Sequence, residues 1–184
     1  MEVIEGRADI DDVGAFVAEL DALGEAHGVT IQAFDARYVV DRQHLERAVD
    51  LAARARERST TIADDFGVEI LLYAAGRRQI NRALEMGVSE GDCPIVAVVV
   101  GDNVADQREA TGRANGDDGA ASEDDEAAAA TALREQLTPA ETLGDYDDEL
   151  VLDFFDVGDT ELAATEGTLA DAVRERVALL VVER

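Results

Sequence analysis

The sequence predicts an α+β fold, a single domain in which helices pack on a mixed β-sheet. Two observations carry this expectation. Some segments repeat apolar residues at helical spacing, while others alternate or run continuously apolar, and the two kinds are interleaved without a regular order. The 184 residues also hold one modest core: 32 of the hydrophobic residues are Ala, leaving 54 larger apolar or Cys side chains. That suffices for one two-layer domain and not for two. No internal repeat is evident.

The elements follow in order. Glu2 to Ala8 reads as a strand. Asp11 to His27 reads as an amphipathic helix, with Val13, Phe16, Val17, Leu20 and Leu23 on one face and Gly28 as its left-handed stop. Val29 to Phe34 alternates as a strand does. Asp41 to Arg58 is a second helix with Leu45, Ala48, Val49 and Ala52 inward. In Glu69 to Val88, EILLYAAGRRQINRALEMGV, the sequence predicts a short buried strand over Ile70–Tyr73, a hinge at Gly76, and a helix ending at Gly87 with Ile80 and Leu84 on one face. Ile95 to Val100, between Pro94 and Gly101, is a buried strand.

From Ala105 to Ala132 there is no Val, Ile, Leu, Met, Phe, Tyr, Trp or Cys. A segment with nothing large to bury does not offset its ordering entropy, so 105–132 is expected to be a disordered acidic insertion, with helix beginning in the Ala127–Ala130 run. Thr138-Pro139-Ala140-Glu141 matches a capping box with Pro at the first helical position and predicts a helix start. Asp147 to Asp156 is compatible with strand or helix; the following FFDVGDTEL favours a helix, a turn and another short helix. Thr168 to Val177 is helical, and Leu179 to Val182 is expected to close the chain as a strand.

Charge separates the chain into unequal parts. The net charge is −26, and every one of the 16 basic residues is Arg. Regular apolar segments at both ends argue against disorder as the reason for this acidity. An acidic, strongly hydrated surface suits a very salty cytoplasm, where the Debye length falls to about 3 Å at 1 M salt. Against that background Ala36 to Arg82 carries 9 Arg and 7 acids, while the remainder carries 7 Arg and 35 acids.

Enzyme signatures are absent from the sequence: there is no GxGxxG after a strand and no GxxxxGK[ST]. Two His and one Cys exclude a His-Cys metal cluster within the chain, and acids are too common for any one pair to be informative. No catalytic residue, metal or cofactor is expected. Cys93 reads as a small hydrophobe. No signal peptide precedes the first strand, and the longest apolar run is far short of a membrane span, so a cytoplasmic location is expected.

The basic segment holds the candidate site. Arg77 and Arg78 would sit in the first turn of a helix, where cations are disfavoured by about 0.3–1 kcal/mol unless an anion meets them. Gly76 would free backbone N–H groups at the same helix start, which makes a phosphate site. Gln79 offers a donor and an acceptor to a base edge, and Ile80 an apolar surface under a base. The competing reading of the two Arg is an ion pair within the chain. Arg47, Arg54 and Arg58 recur on one helical stripe, either as an RNA-backbone track or as partners of neighbouring acids.

The strand–Gly–RRQI–helix pattern resembles the smallest subunit of the KEOPS complex, the PRPK-binding protein family. Gln32, Phe34, Asp35, Ala36, His44, Leu45 and Ala48 match the same family, and LADAVRERVALLVVER resembles its closing helix and strand. The resemblance covers nearly the whole chain apart from the insertion; the insertion and the lack of Lys are departures. It implies a non-catalytic subunit of a hetero-oligomeric complex. That subunit binds the kinase/ATPase subunit and holds the 3′ CCA end of tRNA while another subunit makes threonylcarbamoyladenosine. Arg77 and Arg78 would then take phosphates and Gln79 and Ile80 contact unstacked bases, as single-stranded RNA recognition requires. His44 is read first as structural. The kinase contact is placed on the stripe Leu169, Val173 and Val177, the alternative being that all three are core. The rival functions are a protein-only kinase regulator and a small acid–base enzyme with an Arg phosphate clamp.

Overall fold

The computed structural model describes residues 1–101, 123–164 and 167–180. Its sheet is built around the most apolar strand. In β3 (Gly91–Gly101) all of Ile95 to Val100 are at most 1% exposed, because both faces of the strand are covered. Ile95, Ala97 and Val99 enter one core; Val96, Val98 and Val100 enter another. β1 (Glu2–Ile10) and β2 (Val29–Asp35) flank it in the order β1-β3-β2. Both pair antiparallel, Glu2 opposite Val99 and Val29 opposite Gly101. The described sheet is thus wholly antiparallel, not mixed.

Helices cover the two faces unequally. On one side lie α1 (Val13–His27) and α5 (Glu123–Gln136); on the other lie α2 (Arg42–Glu57), α3 (Phe66–Ala74), α4 (Ile80–Ala83), α6 (Asp148–Phe154) and α8 (Leu169–Leu179), and α7 (Asp159–Ala164) follows α6. The helix starts are written in acids: Asp12, Asp41, Asp65 and Asp147 each accept an N–H of the first turn. Gly28 ends α1 at φ 64°. Leu45, Ala48, Val49 and Ala52 face inward as their spacing predicts.

Four expectations need correction. Ile70–Tyr73 is not a strand but the middle of α3, a helix with apolar neighbours nearly all round; its sequence therefore lacks the one-sided period that marks a surface helix. Buried Glu69 within it accepts the N–H groups of Ile62 (3.0 Å) and Ala63 (2.8 Å), which orders the preceding loop. Residues 123–132 are not disordered: they form most of α5, where Ala129 and Ala130 are fully buried beside Leu133. Residues 105–122, the rest of that expectation, lie outside the described residues. Thr138 starts no helix; its N–H and C=O pair with Arg7 in an isolated bridge, at 2.8 and 2.9 Å. Finally, Leu179 is the last residue of α8 and not the start of a strand; Val181 and Val182 lie outside the described residues.

Candidate nucleic-acid interface

The turn after α3 decides what the tandem arginines do. Gly76 takes φ 59°, its N–H bonds to the Tyr73 carbonyl (3.0 Å) and the Arg77 N–H to the Leu72 carbonyl (3.1 Å). This is a Schellman closure of α3. Arg77 and Arg78 therefore follow the end of one helix and do not occupy the first turn of the next, and the amides of Gly76 and Arg77 are turned back onto α3. The backbone anion site expected there is not formed. α4 spans only Ile80–Ala83 and is succeeded by a 3₁₀ turn, Leu84–Met86.

The two arginine side chains part company. Arg77 donates from Nη2 to the Phe154 carbonyl, lies 5.8 Å from the centre of the Phe154 ring and 3.8 Å from Asp156. From α8, Arg176 donates to the carbonyls of Phe155 and Asp156, each at 3.2 Å, and to Glu161 at 2.8 Å. Two guanidiniums thus satisfy three successive carbonyls at the C-terminal end of α6, where cations belong. Arg77 is a structural clasp, in line with the intramolecular alternative.

Arg78 is exposed and lines a cleft of about 130 Å³ with Arg54, Arg58, Thr60, Tyr73 and Leu180. The structure therefore brings Arg54 of α2 and Arg58, the residue that caps its C-terminal end, to Arg78 across the end of α3. Arg54 stays 3.8 Å from Asp50; Arg58 has no ion pair among the described residues. Arg47 is exposed but does not line the cleft. Gln79 is exposed directly after Arg78, and Ile80 (45%) and Leu84 (54%) are among the most exposed large apolar side chains described. Thr60 and Leu180 gave no signal in the sequence; Tyr73 was assigned to a strand core and instead edges the cleft.

Val173 and Val177 are fully buried in the core shared with α2, and Leu169 packs partly buried against it. The stripe on α8 is core and not a free surface for a kinase. His44 is also structural. Fully buried, its Nε2 donates to the Ala74 carbonyl at 2.8 Å, its ring meets Phe155 edge-on, and burial pushes its pKa down to about 4. Among the described residues no group of His, Cys, Asp and Glu is placed to hold a metal, and no helix is long and apolar enough to cross a membrane.

The described residues form a three-layer α+β core with shallow surface clefts, one of them lined by Arg54, Arg58 and Arg78. The family model described as Kinase binding protein CGI-121 matches residues 13–180, and the chain belongs to that family. No curated protein matches the sequence.

Proposed function

We propose that the protein is a non-catalytic subunit of the KEOPS complex, binding its kinase/ATPase subunit and recruiting tRNA by the 3′ CCA end for threonylcarbamoyladenosine formation in a salt-adapted cytoplasm. The observation that carries the tRNA part is the convergence of Arg54, Arg58 and Arg78 on one cleft, with Gln79 and Ile80 exposed in the two positions after Arg78, in a chain of net charge −26. Arginines gathered on an otherwise acidic surface favour phosphate, and the exposed Ile80 supplies an apolar face for an unstacked base. Family membership supports the kinase part. Arg77 is removed from the phosphate-binding set and retained as the residue that fixes the turn.

A protein-only kinase adaptor is favoured by one observation, the Arg77 clasp, since that reading makes the Arg turn structural. Filter binding separates the two. Intact tRNA should be retained at about 2–3 M salt, well beyond the range where screened long-range attraction operates, and tRNA trimmed of its 3′ CCA should not. Retention of neither favours the adaptor; equal retention of both overturns the 3′-end reading.

A further inference from the structure

The two edges of the sheet are treated differently. β1 is bridged by Thr138, and Glu5 on the same strand accepts the N–H groups of Thr142 and Leu143. β2 has no such cover: among the described residues no backbone group outside β3 pairs with it. Its seven residues face β3 one for one, so no bulge twists the edge away. It contains no Pro or Lys, the usual blunting devices. In an antiparallel pair alternate residues turn their N–H and C=O groups away from the partner strand, here Val29, Ile31 and Ala33. Of these the Ala33 carbonyl accepts the Gln32 side-chain amide at 2.8 Å, a contact an added strand would displace.

That edge forms the floor of a groove of about 440 Å³, walled by α1 and by the start of α3. Thirteen residues line it, of which three are carboxylates (Asp21, Glu25 and Asp65) and none is Arg or His. Burial, then the charges of Asp65 and Glu25, push the Asp21 carboxyl above its usual range, so the groove already resists its own negative charge. Exposed Val17 continues the α1 wall, giving Val17, Asp21 and Glu25 at successive four-residue steps. Four helical residues rise about 6 Å, and alternate residues of a strand are about 6.6 Å apart. The wall and an added strand are therefore close to the same repeat.

We propose that this groove is a docking site for an extended, basic segment of a partner protein, which adds to β2 as a fourth strand with Arg or Lys opposite Asp21 and Glu25 and an apolar residue opposite Val17. A second copy of this chain is disfavoured as occupant, since it would set the same carboxylates against each other. An RNA backbone is disfavoured for the same reason. The groove shares no lining residue with the arginine cleft, so both can be filled at once.

The test uses a short capped peptide of alternating Arg and Val, an otherwise identical peptide N-methylated at alternate amides, and the full chain. The unmethylated peptide should bind and protect from hydrogen exchange the Ile31 amide, which faces away from β3, whereas Thr30 and Gln32 face Val100 and Val98. Affinity should fall by at least about tenfold, which corresponds to one step of the affinity scale, in the double variant Asp21→Asn, Glu25→Gln. Asp65→Asn, which keeps a capping side chain on α3, should weaken binding less. N-methylation on the strand-facing set should abolish it. Equal binding of the methylated peptide, or binding without protection of β2, overturns the proposal. So does protection of β2 that grows with protein concentration in the absence of peptide, which would make a second copy the occupant.

Discussion

Arg77 and Arg78 are adjacent in sequence and lie in different surroundings. Arg77 faces the seam between α3, α6 and α8, where it holds a carbonyl and an aromatic ring with a side chain only 26% exposed. Arg78 faces the cleft between the ends of α2 and α3. The seam is dense with internal obligations: Arg176 on the carbonyls after α6, Arg174 bridging Asp41 of the α2 cap (2.5 Å) and Gln43 (2.8 Å), and His44 reaching Ala74. The cleft holds arginines of like charge beside a chain end of α8. A protein arranges like charges at one surface against the repulsion between them, and a ligand of opposite charge relieves it. One dipeptide thus divides into a folding residue and a candidate binding residue, and the division is what experiments should try to break.

The largest expected effect lies in the seam. Val173→Glu puts an unpaired carboxylate into a fully buried site and should reduce stability by about 4 kcal/mol or more. A folded, monomeric variant that had lost only a kinase partner would instead show that α8 offers a surface. Acid should act on the seam next. The folded pKa of His44, about 4, lies below its ordinary 6.5. The unfolded chain therefore takes up this proton first. The stability tied to neutral His44 is fully present above pH 6.5 and is lost as pH falls through about 4, on the order of 3 kcal/mol. Denaturant midpoints between pH 7 and pH 4 should fall more steeply for the native chain than for His44→Gln; parallel curves would remove His44 from the account.

Smaller changes sharpen the comparison. Arg77→Ala should lower stability by about 1–2 kcal/mol, by loss of the bond to the Phe154 carbonyl and of the ring contact. Gly76→Ala forces a side chain into φ 59° and should cost about 1 kcal/mol. Neither loss should depend on tRNA. Arg58→Ala, on the cleft side, should stay within about 0.5 kcal/mol of the native chain in thermal unfolding while weakening tRNA retention. A large stability loss there would make the cleft a second seam.

Much of this was legible in the sequence. β1, α1, β2, α2, β3 and α8 follow from apolar periodicity and the glycine after α1. The seam was not, because its bonds join Arg side chains to main-chain carbonyls, and no residue type marks a carbonyl as an acceptor. α3 was misread for a related reason: Ile70 to Tyr73 is buried throughout, so neither a helical nor a strand period shows. α5 was expected only from the Ala127–Ala130 run onward; its first turn was read as insertion because small side chains can pack a helix closely against β1 and α1 without large apolar residues. Of the candidate site, Arg54, Arg58, Arg78, Gln79 and Ile80 were named from charge and spacing. The meeting of Arg54, Arg58 and Arg78 on one cleft required the fold, and the intramolecular partners of Arg77 follow from the Schellman turn.

Charge reversal at the two neighbouring positions tests the division between seam and cleft most directly. Arg77→Glu and Arg78→Glu should be compared in one experiment, thermal unfolding beside titration with intact tRNA at about 2–3 M salt, where long-range attraction is screened. Arg77→Glu should lower the unfolding midpoint by several degrees, as expected for a loss of about 1–2 kcal/mol in a domain of this size. Arg78→Glu should hold the midpoint close to that of the native chain, since an exposed charge contributes at most about 1 kcal/mol, and should lose tRNA affinity by tenfold or more, about the 1.4 kcal/mol expected of one charge-assisted contact. Undiminished tRNA binding by a folded Arg78→Glu protein would contradict the assignment of the cleft to the tRNA 3′ end.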